Sequence, residues 1–250
     1  MAILHLLGTG ASISEAHRTT TMLAFESGPS VVVVDCGGDV IQRLMEAGVM
    51  LDHIQALIIT HTHSDHVGGF PLFMQKIWIA GRRRSIPVYG IQPALDLARR
   101  LFVQYDTSGW EGLPEIEWHE VPLDENAPVL EDSHWRITAS PGKHSVPVIA
   151  LRVLDRAGGG TVTYSCDTER TPAVISLARD TDILVHEATG DYPGHTPAQD
   201  AAQVATEARA RRLLLVHLPP EKQLSEPQMA AARAVFAATE KGEELGQYLF

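Results

Sequence analysis

The 250-residue sequence contains little cysteine, few positive charges and no long apolar stretch. Its two cysteines, Cys36 and Cys166, are too few for a disulfide framework, so both are expected to be reduced and to pack as small side chains. No apolar run approaches the roughly 18–20 residues that a membrane-spanning helix needs. The start, MAILHLLGTG, lacks the basic region of a signal peptide and predicts a strand. A cytoplasmic protein is therefore expected.

Positive charge is scarce, because 20 Lys and Arg residues face 31 Asp and Glu residues and give a formal net charge of −11. Nucleic-acid binding depends on basic side chains that neutralise phosphates, so this balance argues against an extended nucleic-acid surface. A small phosphoester at one cationic point is still compatible with it. The one basic run, residues 82–84, predicts a solvated loop, with a local phosphate clamp as the alternative.

Short β-branched runs alternate with helical patterns, without repeats or a long linker. Two buried strands are predicted at residues 31–35 and 56–60. Seven further strands are predicted at residues 87–90, 116–121, 135–140, 148–154, 161–165, 183–186 and 213–216. The glycine-rich residues 155–160 predict a hairpin turn. No domain boundary is evident, so residues 1–250 are expected to form one α/β domain with sheets between helix layers.

Helices are marked by their ends. Helical spacing over residues 39–47 closes with Gly48, a typical C-cap, and a second helix is predicted over residues 70–79. Two capping boxes with proline at the first helical position predict helices that begin at Thr196 and Ser225. These two helices are expected to end near residues 210 and 242.

The segment THTHSDHVGG places three histidines and one aspartate within six positions, directly after the predicted strand 56–60. His61 and His63 are two residues apart and point the same way in an extended chain, whereas Asp65 and His66 come where the chain turns. This spacing suits two adjacent metal ions, one held by two imidazoles and the other by a carboxylate and an imidazole. Zinc fits these ligands, with iron or manganese as alternatives.

The pattern T-H-x-H-x-D-H-x-G-G resembles the metallo-β-lactamase fold superfamily, which implies a four-layer αββα sandwich. Members complete a two-metal site with a later histidine, a bridging aspartate and a last histidine, each after a strand. His144 in SPGKHSVPVIA, Asp167 in TYSCDTER and His217 in LLLVHLPP match these positions. The resemblance thus implies two Zn²⁺ ions, with Mn²⁺ or Fe²⁺ as alternatives. One ion would be held by His61, His63 and His144 and the other by Asp65, His66 and His217, with Asp167 bridging.

The C-terminal part is similar to ribonuclease Z and its phosphodiesterase relatives, which carry His-Glu-Ala-Thr, then a His-Ser/Thr motif, then the last ligand. Here HEAT is residues 186–189 and His195-Thr196 follows. The resemblance implies that a hydroxide between the metals attacks a phosphodiester, with Asp65 orienting it or accepting its proton. His195 would stabilise the developing charge or protonate the leaving oxygen, and Glu187 could orient His195. The alternative for His195 is an ordinary loop histidine.

The chain departs from ribonuclease Z in one segment. Only 22 residues separate His144 from Asp167, which leaves room for a hairpin but not for the long tRNA-gripping arm common in that group. The expected substrate is therefore a small phosphodiester, with an RNA 3′ end as a further candidate. Dimerisation is common in this group, so a homodimer is consistent with the resemblance.

Two other functions share this site. A lactonase or thioesterase would use the same hydroxide on an acyl carbon, but the HEAT segment and His195-Thr196 argue against it. A non-catalytic carrier or binding module on the same fold is the alternative from a different class. Such proteins tend to lose metal ligands, and the ligand set implied by the resemblance is complete in this sequence.

Overall fold

The computed structural model describes residues 1–13, 15–220 and 224–250. The strands are β1 Ile3–Gly8, β2 Met22–Ser27, β3 Ser30–Val34, β4 Ile54–Ile59, β5 Ile86–Gly90, β6 Ile116–Glu120, β7 Ala127–Glu131, β8 Trp135–Pro141, β9 Ile149–Asp155, β10 Thr161–Tyr164, β11 Ile183–Glu187, β12 Arg212–Val216, β13 Thr239–Lys241 and β14 Gln247–Leu249. The α-helices are α1 Val40–Glu46, α2 Ser64–Val67, α3 Phe70–Ile79, α4 Gln92–Phe102, α5 Pro172–Leu177, α6 Ala198–Ala208 and α7 Glu226–Val235. A 3₁₀ turn spans Leu51–His53. Within these described ranges, no helix has the length and apolar character that crossing a membrane requires.

The strands form two mixed sheets of seven strands each. The first has the order β14-β1-β2-β3-β4-β5-β6 and the second the order β13-β12-β11-β10-β9-β8-β7. Strands β3 to β6 are parallel to one another, as are β10 to β13, and the other neighbours are antiparallel. The carboxyl ends of the parallel strands therefore lie along one edge of each sheet.

Apolar side chains fill the space between the two sheets. One continuous buried cluster includes Phe25 and Val33 from the first sheet and Trp135 and Val153 from the second. A second apolar cluster lies between the other face of the second sheet and helices α5 to α7. Helices α1 and α4 contact strands of the first sheet. The four-layer αββα sandwich expected from the sequence is confirmed.

The nine internal strands predicted from sequence are all present, with ends that differ by at most two residues. The turn predicted at residues 155–160 joins β9 to β10 and is ordered by Asp155, which is fully buried. Its carboxylate accepts hydrogen bonds from the backbone N–H groups of Ala157 and Gly158. It also accepts one from the hydroxyl of Ser27 in the opposite sheet. The hairpin is thereby tied to both sheets.

Helix α6 begins differently from the prediction. Its first residue is Ala198, and Pro197, not Thr196, is the N-cap, so this capping box was wrong. The Thr196 hydroxyl instead donates to the Thr168 carbonyl, and its backbone N–H donates to the Glu187 carboxylate. Thr196 therefore binds to the loops around the candidate site instead of capping the helix.

Helix α7 keeps its predicted start but is shorter than predicted. The side-chain oxygen of Gln228 accepts from the backbone N–H of Ser225, as a capping box requires. The helix ends at Val235 instead of near residue 242, because residues 239–241 pair with β12 as the edge strand β13.

The basic run at residues 82–84 lies in a loop where Arg83 and Arg84 are exposed, as predicted, but Arg82 is buried. Arg82 is 8% exposed, and its guanidinium donates to the carbonyls of Ile54, Arg84 and Ser85. Burial and the neighbouring Arg84 lower the pKa of Arg82 to about 10. Arg83 and Arg84 also donate to backbone carbonyls. The run therefore fastens the start of β4 to the loop before β5.

Both cysteines are free and buried, as expected from their number. The Cys166 thiol donates to the Thr60 hydroxyl at 3.0 Å. Burial raises the pKa of both thiols well above the ordinary value, so neither is a ready nucleophile.

Glu244 ties the C-terminal segment to the loop that follows β1. Its carboxylate accepts hydrogen bonds from the backbone N–H and the hydroxyl of Thr9, and from the backbone N–H of Thr19. It also pairs with the guanidinium of Arg43 on α1 at 2.9 Å. A single side chain thus holds three separate segments together.

Replacement of Glu244 by alanine is expected to lower the free energy of unfolding by about 1–3 kcal/mol, because two backbone donors and Arg43 lose their acceptor. Urea unfolding of the purified variant measures this. The neighbouring Glu243 is exposed and serves as a matched control, so Glu243→Ala is expected to have little effect. Equal stability of the two variants would contradict the assigned role.

Candidate metal centre

All seven ligands predicted from sequence lie where the carboxyl ends of strands from both sheets meet. Four follow a strand directly or within a few residues: His61 after β4, His144 after β8, Asp167 after β10 and His217 after β12. The other three lie at helix α2, where His63 is the N-cap and Asp65 and His66 are in its single turn. The two sheets touch here, because the N–H of Ile149 donates to the Thr60 carbonyl.

Helix α2 approaches the backbone that follows β3, and Gly37 makes this approach possible. A Cβ atom at residue 37 would lie 1.7 Å from the carbonyl oxygen of Asp65. The contact is held by backbone hydrogen bonds, from Cys36 N–H to the His66 carbonyl and from Gly69 N–H to the Cys36 carbonyl. The close contact fixes where the side chains of Asp65 and His66 point.

The carboxylate of Asp167 lies at the middle of the cluster. Its Oδ2 atom is 3.3–3.9 Å from the Nε2 atoms of four imidazoles: His61, His66, His144 and His217. Side chains from both sheets therefore converge on one buried oxygen, which is the arrangement that a bridging ligand needs.

On either side of Asp167 the other ligands fall into two groups. His61, His63 and His144 form one group with Asp167, and His63 Nδ1 is 3.1 Å from His144 Nε2. Asp65, His66 and His217 form the other, where Asp65 Oδ2 lies 3.3 Å from His217 Nε2 and 3.7 Å from His66 Nε2. These two groups match the sets that the family resemblance implies, and two further groups of neighbouring donors overlap them: His61, His66 and Cys166, and Asp167, His195 and His217.

Two histidines have their outer nitrogen bound to a group behind them. The N–H at Nδ1 of His66 donates to the Asp35 carboxylate at 2.8 Å. The Thr60 hydroxyl donates to Asp35 and is thus an acceptor for the Nδ1–H of His61, at 3.1 Å. When these rings are neutral, the contacts place the proton on Nδ1, and Nε2 then carries a lone pair that faces Asp167.

The same arrangement orients His144 and His217. Nδ1 of His144 lies 2.8 Å from the Gly194 carbonyl, which can only accept. The hydroxyl of Thr189 donates to the His217 carbonyl, so it accepts from Nδ1 of the same residue at 2.7 Å. Nε2 of both rings is again left with a lone pair that faces the centre.

Three of the inward-facing atoms have no hydrogen-bond partner among the described residues. Nε2 of His61, Nε2 of His66 and Oδ1 of Asp167 are buried and form no hydrogen bond. Several converging lone pairs beside two carboxylates repel one another unless a cation lies between them. The donor set of imidazole and carboxylate therefore fits divalent metal ions, and zinc prefers these ligands.

The charges of the centre favour a cation as well. Burial alone would raise the pKa of Asp167, but His217 and His66 hold it well below the ordinary value, so the carboxylate is ionised. Burial alone would lower the pKa of His66, but Asp167 and Asp35 hold it well above the ordinary value. By contrast, burial and His66 lower the pKa of His61. The carboxylates thus attract positive charge into the cluster.

His195 adjoins the centre without belonging to either of these two groups. Its ring is parallel to that of His217, with centroids 5.6 Å apart, and its Nδ1 is 3.0 Å from Glu187 Oε1. Glu187 is fully buried and also accepts from the backbone N–H groups of Thr168, Thr189 and Thr196. Burial alone would lower the pKa of His195, but Glu187 raises it. The adjacent His186 points away, and its Nδ1 donates to the Glu187 carbonyl.

Sequence reasoning missed the residues that orient the ligands. Asp35, Thr60, Thr189 and Gly194 carry no metal-binding pattern, and only the structure shows that they hold imidazoles. A usable signal existed for Asp35, because a buried acidic residue at a strand end needs a donor, and its motif VVDCG resembles the family pattern.

Comparisons with known proteins agree with this fold. The sequence matches the family described as Beta-lactamase superfamily domain over residues 31–218. Ribonuclease Z of Methanothermobacter thermautotrophicus is 28% identical, over 96% of this chain and 94% of that protein. The crystal structure of the metallo-beta-lactamase fold protein YhfI from Bacillus subtilis has a TM-score of 0.82 and 25% identity, and covers 99% of this chain and 98% of that one.

A second similar structure is that of human tRNase Z, short form, with a TM-score of 0.80 and 22% identity over 100% of this chain and 99% of that one. The family match covers the segment that carries the seven candidate ligands. The chain therefore belongs to the Beta-lactamase superfamily domain family, in its ribonuclease Z-like branch.

Proposed function

We propose that this metal-dependent hydrolase cleaves small phosphodiesters at a centre of two zinc ions. The observation that carries the proposal is a histidine that belongs to neither of the two ligand groups, His195, held against the ligand cluster by the buried carboxylate of Glu187. A similar ligand cluster alone would also serve acyl hydrolysis, whereas the HEAT and His-Thr segments resemble the phosphodiesterase relatives. Manganese or iron in place of zinc is compatible with the same ligands.

Each of the two ions would have its own group of ligands. His61, His63 and His144 would hold one ion, and the three residues Asp65, His66 and His217 the other, with Asp167 shared between them. Two bound zinc ions supply an activated water near neutral pH and neutralise charge on the phosphate.

Three side chains of this chain would act on protons in the reaction. Asp65, with its side chain 10% exposed, orients the attacking water and accepts its proton. His195 donates a proton to the leaving oxygen as the bond from phosphorus to that oxygen breaks. Glu187 holds His195 through Nδ1 and favours its protonated form. The products are a phosphomonoester and an alcohol.

The substrate is proposed to be small because residues 145–166 offer nothing that could grip a large RNA. These residues form β9, β10 and the short segments beside them. The net charge of −11 also opposes an extended polyanion. Relatives named ribonuclease Z keep an RNA 3′ end as the second candidate substrate. The non-catalytic carrier is disfavoured because the full ligand set converges on Asp167.

Removal of metal is expected to abolish hydrolysis of bis(p-nitrophenyl) phosphate and to lower the melting temperature. For one site, zinc at 100 times its dissociation constant is expected to raise the free energy of unfolding by about 2.7 kcal/mol. Elemental analysis of zinc-loaded protein should give two equivalents per chain. Saturation of both stability and activity at one equivalent would contradict a two-metal centre.

Replacement of His195 by alanine is expected to lower turnover of a diester by about 10²–10⁴-fold while both metal ions stay bound, because a proton donor is lost and no assigned ligand is. The loss should be greatest for alkyl leaving groups, which need a proton more than p-nitrophenolate does. His119 is a half-exposed histidine on β6, so His119→Ala is the matched control. Unchanged turnover of the alkyl diester by His195→Ala would refute the assignment.

A substrate panel on zinc-loaded protein tests the reaction class. Small phosphodiesters are expected to be turned over faster than precursor tRNA, a lactone or a thioester, because of the charge and the short 145–166 segment. Steady-state kcat/KM for each compound is the measurement. Precursor tRNA cleaved at a comparable rate would overturn the size argument, and lactone hydrolysis without diester hydrolysis would overturn the proposed function.

A further inference from the structure

Gly194 directly precedes His195 and contacts the outer side of His144, and the peptide groups on both of its sides are bound. Its N–H donates to Glu169 Oε1 at 3.0 Å, and its carbonyl accepts from Nδ1 of His144 at 2.8 Å. Its φ is +85°, and a Cβ here would lie 2.7 Å from that same Nδ1 atom. Only glycine can place the carbonyl so close to the imidazole.

Glu169, two residues after Asp167, connects this glycine to the segment that carries His144. Its other carboxylate oxygen pairs with the ammonium of Lys143, and its backbone N–H donates to the Lys143 carbonyl at 2.8 Å. The Glu169 side chain is only 34% exposed, whereas that of Lys143 is 67% exposed. One side chain thus contacts both the segment before His144 and the loop before His195.

Few other contacts fix the orientation of Gly194. The remaining backbone hydrogen bonds of loop 190–195 are local: Gly190 to Thr196, Tyr192 to Gly190 and His195 to Tyr192. Without Glu169, the peptide between residues 193 and 194 would lose its acceptor. The next peptide, which carries the Gly194 carbonyl, would then be held within the loop only by the bond from His195 N–H to the Tyr192 carbonyl, so the orientation of His144 would be less firmly fixed.

We propose that Glu169 is a positioning residue that, through Gly194, orients His144 toward its metal ion and fixes the loop that carries His195. The inference rests on the proposed metal centre and adds a residue that is neither a ligand nor in contact with the reacting atoms. Groups that hydrogen-bond to the outer nitrogen of a ligating histidine fix its tautomer and orientation, and their loss commonly costs 10–100-fold in metal affinity.

The hydrogen bond to Gly194 and the ion pair to Lys143 can be separated by substitution. Glu169→Ala removes both, whereas Glu169→Gln keeps an acceptor for the Gly194 N–H and loses the ion pair. Lys143→Met removes the ion pair alone. Glu207 is an exposed carboxylate paired with Arg170, so Glu207→Ala is a control that removes a similar ion pair with no contact to Gly194.

Zinc affinity is measured by competition with a chromophoric chelator, on variants whose melting temperature and circular dichroism confirm folding. Glu169→Ala is expected to weaken one of the two zinc equivalents by about 10–100-fold. Glu169→Gln, Lys143→Met and Glu207→Ala are expected to bind like the unmodified chain. Rescue by glutamine separates positioning from a general structural role.

An unchanged affinity in Glu169→Ala would overturn the inference. So would a loss in Glu169→Gln or Lys143→Met as large as that in Glu169→Ala, because the ion pair would then be responsible. Because the measurement is zinc binding, it gives its answer even where the chain fails to hydrolyse phosphodiesters. Failure of the proposed reaction is detected separately by the substrate panel.

Discussion

The buried carboxylate of Asp167 is the constraint on which the rest of the centre depends. An ionised group that is 1% exposed is stable only beside compensating positive charge. Four imidazole nitrogens lie within 3.9 Å of it, and whenever these rings are neutral the outer contacts leave a lone pair on each of these nitrogens. Cations between the carboxylate and the imidazoles satisfy both kinds of group at once.

The protein also orients the imidazoles, because the outer nitrogen of each of four rings has its own acceptor. Asp35 holds His66, Thr60 holds His61, Thr189 holds His217 and Gly194 holds His144. These acceptors come from the ends of strands in both sheets and from the loop before α6. The positions of these four imidazoles are therefore set by how the two sheets and the loops at their ends pack.

Strained backbone is found at the same strand ends. Asp35, Cys166 and His217 each follow a strand closely and have positive φ values of 62°, 51° and 48°. Non-glycine residues adopt this conformation at a cost of about 1–3 kcal/mol, and such residues concentrate at functional sites. The turn at Cys166 directs the next side chain, Asp167, toward the centre. The turns at Asp35 and His217 direct their own side chains there. Stability of the packed sheets offsets this cost.

Local patterns in the sequence predicted the internal strands and the cluster at residues 61–66, whereas the four-layer arrangement and the candidate ligands His144, Asp167 and His217 were implied by the family resemblance. Strands with two buried faces form apolar runs, and ligands that follow them are conspicuous by residue type. Edge strands β13 and β14 are three residues long and carry no such pattern. The local sequence around Thr196 predicts an N-cap. Its hydroxyl donates instead to Thr168, which is 28 residues away and therefore invisible to a local pattern. Cytoplasmic location and a homodimer stay predictions.

The contacts of Glu169 and Gly194 were beyond prediction for a different physical reason. Their importance comes from one peptide orientation that exists only when three loops are packed together. Proteins of the same fold with a similar set of ligands can hydrolyse different kinds of bond, so the ligands alone do not determine the substrate. Substrate choice therefore has to depend on the groups around the candidate ligands. In this chain the loop before α6 brings His195 next to them. Because Gly194, whose carbonyl contacts His144, directly precedes His195, a shift of this loop would move both side chains. A change that moved the loop to admit another substrate would also disturb the ligand.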